Sequence, residues 1–352
     1  DLDETHYECP TPQQVKAYRD KVRHLILDLI EHAPLTMPIN WNHPWWAILM
    51  GIEHERIHLE TSSVLIRQHD LEYVRAHPAW KASDFSTTAP ENTWIDVASG
   101  QVKLGINQAH PFYGWDNEFG QHEAQVEAFQ ASKYLVSNQE FLAFVDADGY
   151  SSLDYWEQEG QGWLSFSEAK YPTFWIKQHQ TWYLRLMTEI VPMRWDWPVE
   201  VNYHEAKAFC NWKKQQTGQN IRLPTEDEWY RIYDISGLNE IDHQRADGNI
   251  HLDYGASSCP VHVFQQGDFF DVRGNVWQWT ETPTYPFNGF DVHPIYDDFT
   301  TPTFDGRHNL IKGGSWISCG NESLYSSRYA FRRHFFQHAG FRYVASDHEV
   351  SR

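Results

Sequence analysis

Residues 274–280 read GNVWQWT and residues 312–316 read KGGSW, two short stretches dominated by tryptophan, glycine and polar residues. The composition around them is similar, because 16% of the 352 residues are aromatic and 17 are tryptophan. Large rings can supply core area where regular secondary structure is scarce. The sequence therefore predicts a loop-rich fold packed on aromatic side chains for this part of the chain.

Upstream of these stretches the chain has two styles. Two helices are predicted in the mixed region, at residues 137–146 and 203–215, and residues 84–94 resemble a linker because they are small, polar and interrupted by proline. Before the linker, apolar residues recur every three or four positions from Pro12 to Pro34, which predicts one helix, and residues 44–68 predict a second. Two antiparallel helices are half of a bundle, so further helices are needed to bury both apolar stripes.

Composition excludes several classes of protein. Hydrophobic residues make up 41% of the chain, enough for a folded core, and the net charge of −20 argues against a nucleic-acid binder. No apolar run approaches the length of a membrane helix, and the acidic first residues do not resemble a signal peptide. Because the cysteines are few and scattered, we expect a reducing, cytoplasmic location; they are Cys9, Cys210, Cys259 and Cys319.

The sharpest chemical feature lies in the second predicted helix, where residues 54–60 read HERIHLE. His54 and His58 are four positions apart and so stand on one face, one turn from each other, where two imidazoles can bind one metal ion. Glu60 points away from that face, which favours an outer-shell or surface role. The apolar flanks indicate a buried helix, and buried histidines need partners.

The same residues also fit the HExxH pattern of zinc peptidases, in which Glu55 would be the general base. The extended form of that pattern needs a glycine and a third histidine soon after, and both are absent here. A more distant carboxylate could complete such a site, and Glu72 is the nearest one. The peptidase hypothesis predicts zinc and loss of peptide cleavage when Glu55 is changed.

Six phrases in the second part of the chain occur in the order and spacing of one family. They resemble the C-type-lectin-like module of formylglycine-generating enzymes and sulfatase-modifying factors; the phrases are residues 133–150, 198–212, 222–231, 274–280, 312–316 and 339–344. In such modules glycine permits tight turns and tryptophan packs the core. The resemblance therefore implies structural roles for Trp212, Trp229, Trp277, Trp279 and Trp316.

Formylglycine-generating enzymes hold copper with two cysteines near the GGS phrase. Here a lone Cys319 follows Gly313 and Gly314, and no second cysteine comes after it. A two-thiolate copper site cannot form locally, which argues against sulfatase activation as the function.

The histidine helix and the lectin-like module together resemble the non-haem iron sulfoxide synthases, which make the carbon–sulfur bond of ergothioneine and ovothiol. Details are most similar to the ovothiol branch, the 5-histidylcysteine sulfoxide synthases. The resemblance implies an α+β chain, with part of a DinB-like helical bundle followed by a formylglycine-generating-enzyme-like C-type-lectin fold. We expect the helical part at residues 1–83, the linker at 84–94 and the module at 95–352.

The chain departs from this family in three ways. The family's third iron-binding histidine is expected on a helix upstream of Asp1. Ile57 stands where the ergothioneine branch has a polar residue that contacts the substrate, which favours histidine over trimethylhistidine as the acceptor. The methyltransferase domain that often follows in the ovothiol branch is expected to lie outside this sequence.

The resemblance implies roles for particular residues. His54 and His58 would bind iron(II), with dioxygen as co-substrate and cysteine and histidine as substrates. Tyr296, in PIYDDF at residues 294–299, matches the family's proton or electron donor, which steers the reaction away from cysteine dioxygenation. Planar guanidinium groups bind carboxylates in bidentate fashion, and the substrate-binding candidates by analogy are Arg332, Arg333 and His334. Calcium in the module, as in some relatives, is a further implied cofactor.

Three functions stay open on the sequence. The main hypothesis is an oxygen-dependent iron enzyme that joins cysteine to histidine. An ergothioneine-type enzyme acting on trimethylhistidine is the second and would be separated by a substrate assay. A non-catalytic lectin-like binding module is the third; it predicts no bound iron and leaves the histidine pair without a purpose.

Overall fold

The computed structural model of the protein describes residues 9–238 and 247–346. Residues 1–8 and 347–352, the outer ends of the two predicted domains, lie outside the described residues. Within the described part of the chain, no helix combines the length and apolarity needed to cross a membrane.

The described residues form two compact units. One comprises residues 9–52 together with Ala109–Tyr113, and the other comprises Glu53–Gln108, residues 114–238 and residues 247–346. These units differ from the predicted division at residues 1–83, 84–94 and 95–352, which stays a prediction about domains.

Helix α1 (Pro12–His32) dominates the first unit. Thr11 caps it, because its hydroxyl accepts from the backbone of Gln14 while the Gln14 side chain accepts from the backbone of Thr11. No residue of α1 is buried, and the predicted apolar stripe is solvent-exposed at positions such as Leu25. The DinB-like bundle therefore stays a prediction, since the described residues do not cover this stripe.

Helix α2 (Pro44–Gln68) carries the HERIHLE sequence, and its residues from Glu53 onward belong to the second unit. Four further helices lie in that unit: α3 (Asn138–Asp146), α4 (Gln158–Ser167), α5 (Tyr203–Thr217) and α6 (Glu226–Ile235). Helices α3 and α5 confirm the two predicted helices. Helices α4 and α6 were not predicted, because polar residues interrupt their apolar positions.

Fifteen short strands are described in the second unit: β1 (Trp94–Val97), β2 (Gly100–Leu104), β3 (His122–Val126), β4 (Phe129–Ser132), β5 (Trp175–Gln178), β6 (Thr181–Arg185), β7 (Ile190–Pro192), β8 (Ile221–Arg222), β9 (Gln265–Gln266), β10 (Phe269–Phe270), β11 (Trp277–Pro283), β12 (His308–Lys312), β13 (Tyr329–Arg332), β14 (Ala339–Gly340) and β15 (Val344–Ala345). Two four-stranded sheets have the orders β1-β4-β15-β8 and β13-β12-β11-β14. In the second sheet β11 and β12 are antiparallel, with Trp279 opposite Ile311, and β14 runs parallel to β11.

Aromatic rings fill the core, as the composition predicts. Trp229, Trp277, Trp279 and Trp316 are buried, and Trp212 packs at the edge of the main cluster. This burial supports the structural role that was predicted for them.

Residues 84–94 lie in irregular structure until β1 begins at Trp94, but they are held in place. The carboxylate of Asp196 accepts from the hydroxyl of Ser86 and from the backbone and hydroxyl of Thr87. The indole of Trp197 donates to the carbonyl of Phe85. Residues 84–94, which were predicted to be a linker, are therefore held by hydrogen bonds within the second unit.

Candidate metal and substrate site

Helix α2 places His54 and His58 side by side in the second unit. Their ring centroids are 4.4 Å apart and the ring planes are nearly perpendicular. Burial, followed by the neighbouring His58, lowers the pKa of His54, so the neutral imidazole is favoured. A neutral imidazole is the form that binds metal ions.

Tyr296 reaches this pair from a segment distant in sequence. Its phenol oxygen lies 3.4 Å from Nε2 of His54, and the two rings meet edge to face at 5.7 Å. The structure thus brings together three of the residues singled out from the sequence, His54, His58 and Tyr296. Their chemical roles stay proposals.

The segment that carries Tyr296 is fixed by contacts that the sequence did not predict. Phe299 stacks on Trp115 with ring centroids 4.1 Å apart, and Trp115 also meets Tyr296 edge to face at 6.4 Å. The hydroxyl of Thr300 donates to the buried carboxylate of Asp116 at 2.5 Å, and burial raises the pKa of Asp116. These partners lie about 180 positions apart, so no local pattern could have revealed them.

The opposite face of α2 is buried and polar. Both oxygens of Glu60 accept hydrogen bonds, from the indole of Trp277 and from the hydroxyls of Ser315 and Ser318, each at 2.7 Å. Only 4% of Glu60 is exposed, which excludes the surface role left open by the sequence. Its partners are Trp277, Ser315 and Ser318 and neither histidine, so an outer-shell role stays a prediction.

Further along this face, Arg67 forms a buried ion pair with Glu200 at 2.5 Å, and Glu200 also contacts His338 at 3.1 Å. Burial acts to raise the pKa of Glu200, but the Arg67 guanidinium and His338 outweigh it and lower that pKa to about 2. His338 in turn lies 2.7 Å from the hydroxyl of Ser63. Residues 60–67 of α2, the two turns that follow the histidines, are therefore held within the second unit by polar contacts.

Two cavities flank the histidine face of α2. The smaller, of about 130 Å³, lies beside the Tyr296 segment; its lining is mixed and includes the rings of Trp115, Phe299, Tyr329 and Phe331 together with Ile57 and Arg328. The larger, of about 490 Å³, also has a mixed lining, which includes Glu55, His58, Leu59, Arg75 and Trp80. The larger cavity thus includes one of the two histidines, whereas the smaller reaches α2 at Ile57.

The predicted carboxylate-binding residues lie in different surroundings. Arg333 is engaged with the carboxylate of Glu159 at 2.7 Å, the side-chain oxygen of Asn309 and the carbonyl of Gly306. Arg332 ends β13 and is exposed, as is His334, whose pKa is lowered by burial and by Arg332. The hydrogen bonds of Arg333 are made with the scaffold, and substrate binding by Arg332, Arg333 and His334 stays a prediction.

Within residues 9–238 and 247–346, no three histidine, cysteine, aspartate or glutamate side chains cluster as a complete metal site. His54 and His58 fit iron as two of its ligands, because both are imidazoles on one helical face and His54 favours the neutral form. A third histidine ligand stays a prediction. Neither the third ligand of a peptidase site nor a calcium cluster is found in the described part of the chain, and calcium stays a prediction.

Comparisons with known proteins identify the family of this chain. Residues 81–347 match the family model of the sulfatase-modifying factor enzyme 1-like domain. A hercynine oxygenase of Mycolicibacterium thermoresistibile is 26% identical over 329 residues, which cover 88% of this chain and 70% of that protein. Ergothioneine biosynthesis protein 1 of Schizosaccharomyces pombe is 26% identical over 262 residues, covering 73% of this chain and 30% of that protein.

A formylglycine-generating enzyme of Bos taurus is 25% identical over 282 residues, covering 69% of this chain and 71% of that protein. Among solved structures, Treponema denticola variable protein 1 superposes with a TM-score of 0.50 at 16% identity, covering 73% of this chain and 99% of that chain. That likeness concerns the fold alone. The predicted formylglycine-generating-enzyme-like fold of mixed helices and strands is confirmed.

Proposed function

Because the chain belongs to the sulfatase-modifying factor enzyme 1-like domain family, and its relatives include hercynine oxygenases, we propose that it is an oxygen-dependent sulfoxide synthase. It joins the sulfur of cysteine to the imidazole ring of a histidine derivative. The observation that carries this proposal is the contact between the Tyr296 hydroxyl and the His54–His58 pair. The copper-dependent alternative is disfavoured, because Cys319 has no second cysteine after it in the GGS region.

The reaction balances without a further reductant. One S–C bond forms as an S–H and a C–H bond break. One oxygen atom of dioxygen enters the sulfoxide and the other leaves as water with the two hydrogens, so the substrates lose the four electrons that dioxygen gains. Iron(II) would be held by His54 and His58 together with a further ligand, and it would supply the redox chemistry that zinc cannot supply.

The chain's own residues contribute positioning and a proton. Tyr296 holds its hydroxyl proton beside His54, at the face where the sulfur and the ring carbon must meet. Phe299 packs against Tyr296 with ring centroids 5.1 Å apart, and Trp115 stacks on Phe299; both Phe299 and Trp115 also line the small cavity. Holding the reactants in one geometry supplies part of the rate by proximity.

The acceptor we propose is trimethylhistidine, the ergothioneine-type substrate. The relatives named for hercynine favour it, since hercynine is this betaine. The small cavity is compatible with it, because Trp115, Phe299, Tyr329 and Phe331 are among its lining residues, and the Arg328 guanidinium in the same lining is paired with the Glu226 carboxylate. Histidine, the acceptor of the ovothiol branch, is a second candidate, favoured by the apolar Ile57 on the wall of the same cavity.

The test is an aerobic assay of the iron(II)-loaded protein with cysteine and an equal mixture of histidine and trimethylhistidine, followed by mass spectrometry. We expect a conjugate that carries one added oxygen, formed in excess with trimethylhistidine. A dominant histidine conjugate would transfer the protein to the ovothiol-type reaction. A protein that binds iron and yields neither conjugate would overturn the proposal and favour a binding module.

A further inference from the structure

Two glutamates on the buried face of α2 accept hydrogen bonds from a single segment of the second unit. Glu53 and Glu60 are seven residues apart, so they lie on the same face of the helix, two turns from each other. Glu60 accepts from Ser315 and Ser318, and Glu53 accepts from the backbone N–H of Asn321 at 2.9 Å. We call Glu53 and Glu60 the anchor glutamates.

Both anchor glutamates are almost completely buried, with 6% and 4% of their surfaces exposed. The ionised carboxylate of Glu60 can only accept hydrogen bonds, and it accepts three, one from the Trp277 indole and one from each of the hydroxyls of Ser315 and Ser318. Removing a buried acceptor leaves its donors unsatisfied, which costs more than the bonds themselves contribute. The contact therefore fixes α2 strongly on the second unit.

Three glycines in residues 313–321 have backbone angles that other residues rarely adopt. Gly313 and Gly314, which directly follow β12, have positive φ values of 97° and 77°. At Gly320, with φ of 63°, an added Cβ would meet the Arg56 guanidinium at 1.8 Å and a Glu53 carboxylate oxygen at 2.5 Å. The left-handed backbone angle favours glycine at position 320, and an added Cβ would also require the ends of the Arg56 and Glu53 side chains to move.

The histidine pair lies on the outer face of the same two turns. The distance from His54 to Tyr296 depends on where α2 rests, since Tyr296 is fixed separately by Trp115 and Asp116 through Phe299 and Thr300. We propose that Glu60, assisted by Glu53, is the positioning residue that sets the distance between the histidine pair and the Tyr296 hydroxyl. The catalytic part of this inference rests on the proposed sulfoxide synthase function.

The experiment compares Glu60→Ala, Glu60→Gln and Gly320→Ala with the matched control Glu205→Ala in the full chain. Glu205 is also fully buried and accepts from the Tyr150 hydroxyl and the Asn202 backbone, but it caps α5 instead of holding α2. Two quantities are measured: the amide hydrogen exchange of α2, and the ratio of the conjugate to cysteine sulfinic acid, the product of the competing cysteine dioxygenation. Exchange does not depend on activity, so it tests the anchor even if the proposed function fails.

We expect amide exchange in residues 53–68 to become about ten-fold faster in Glu60→Ala and Gly320→Ala, and to stay unchanged in Glu205→Ala. Glu60→Gln should recover part of the protection, because its amide oxygen can still accept from Trp277 and Ser315. In active protein, Glu60→Ala should shift product toward sulfinic acid while Glu205→Ala keeps the wild-type ratio.

Unchanged exchange of α2 in both Glu60→Ala and Gly320→Ala would overturn the anchor itself. Faster exchange together with a wild-type product ratio would overturn the positioning role and leave a purely structural contact. If Glu60→Ala does not fold, Glu60→Gln and Gly320→Ala carry the same two comparisons. Wild-type protein that forms no conjugate would reject the proposed function, with the exchange result still deciding the anchor.

Discussion

The phenol oxygen of Tyr296 lies 3.4 Å from Nε2 of His54, although 242 positions separate them in the chain. This contact joins the helix that carries the histidine pair to a segment held by Trp115 and Asp116. The proposed chemistry depends both on the histidine pair and on the position of the Tyr296 segment, and substitutions can change each of them separately.

The histidine pair should determine metal retention. His54→Ala and His58→Ala each remove one imidazole ligand, and we expect the affinity for iron(II) to fall by about 100-fold or more, since even outer partners of ligands cost 10–100-fold. The measurement is anaerobic iron binding by competition with a chelator. His24→Ala is the control, because His24 is exposed on α1. Wild-type affinity in both ligand variants would remove the metal assignment.

Detaching the Tyr296 segment should alter the product without affecting metal binding. Thr300→Val keeps the shape of the side chain but removes its donor to the buried Asp116, at a cost of about 1–3 kcal/mol in the free energy of unfolding. We expect more sulfinic acid and an unchanged iron affinity. Thr280→Val is the matched control, because Thr280 is equally buried and donates to Leu310 in the sheet. If Thr300→Val and Thr280→Val give the same ratio of conjugate to sulfinic acid, the hydrogen bond from Thr300 to Asp116 does not position Tyr296.

Acceptor choice should respond to the wall of the small cavity. Ile57→Gln introduces a polar group at the position where the ergothioneine branch has one, beside the aromatic lining. We expect the ratio of kcat/KM for trimethylhistidine to that for histidine to rise about ten-fold, an effect typical of one altered contact. Competition between the two acceptors, read by mass spectrometry, measures this ratio. A ratio that does not change would separate Ile57 from acceptor recognition.

The buried Arg67–Glu200 pair should make stability depend on pH. The pKa of Glu200 is about 2 in the folded chain, against a usual 4.5, so its contribution is complete above pH 4.5 and is lost as the pH falls toward 2. Arg67→Met leaves a buried carboxylate without its cation and should cost about 3–5 kcal/mol in the free energy of unfolding at pH 7.

Urea unfolding between pH 3 and 7 measures this effect. The double variant Arg67→Met with Glu200→Leu should recover much of the lost stability at pH 7, because no uncompensated charge remains. A double variant less stable than Arg67→Met alone would contradict the explanation.

The sequence predicted those features that depend on local spacing. The four-residue interval between His54 and His58 placed them on one helical face, and the glycine and tryptophan phrases indicated the aromatic module. It could not predict the contacts of Glu60, because Trp277, Ser315 and Ser318 are more than 200 positions away and serine and tryptophan carry no pairing signal. Trp115 was equally hidden among 17 tryptophans.

Arg333 shows a different limit. The resemblance places it among substrate-binding residues, which stays a prediction, but its contacts with Glu159, Asn309 and Gly306 could not be predicted. These partners lie on distant segments, so only the folded arrangement of α4 and β12 reveals them.

The most direct test of the account is the product distribution of Tyr296→Phe in iron(II)-loaded protein supplied with cysteine, dioxygen and the preferred acceptor. We expect Tyr296→Phe to bind iron like the wild-type protein, to lose most of the sulfoxide conjugate and to accumulate cysteine sulfinic acid, because the phenol proton beside His54 is gone. An unchanged ratio of conjugate to sulfinic acid would contradict the account and remove Tyr296 from the chemistry.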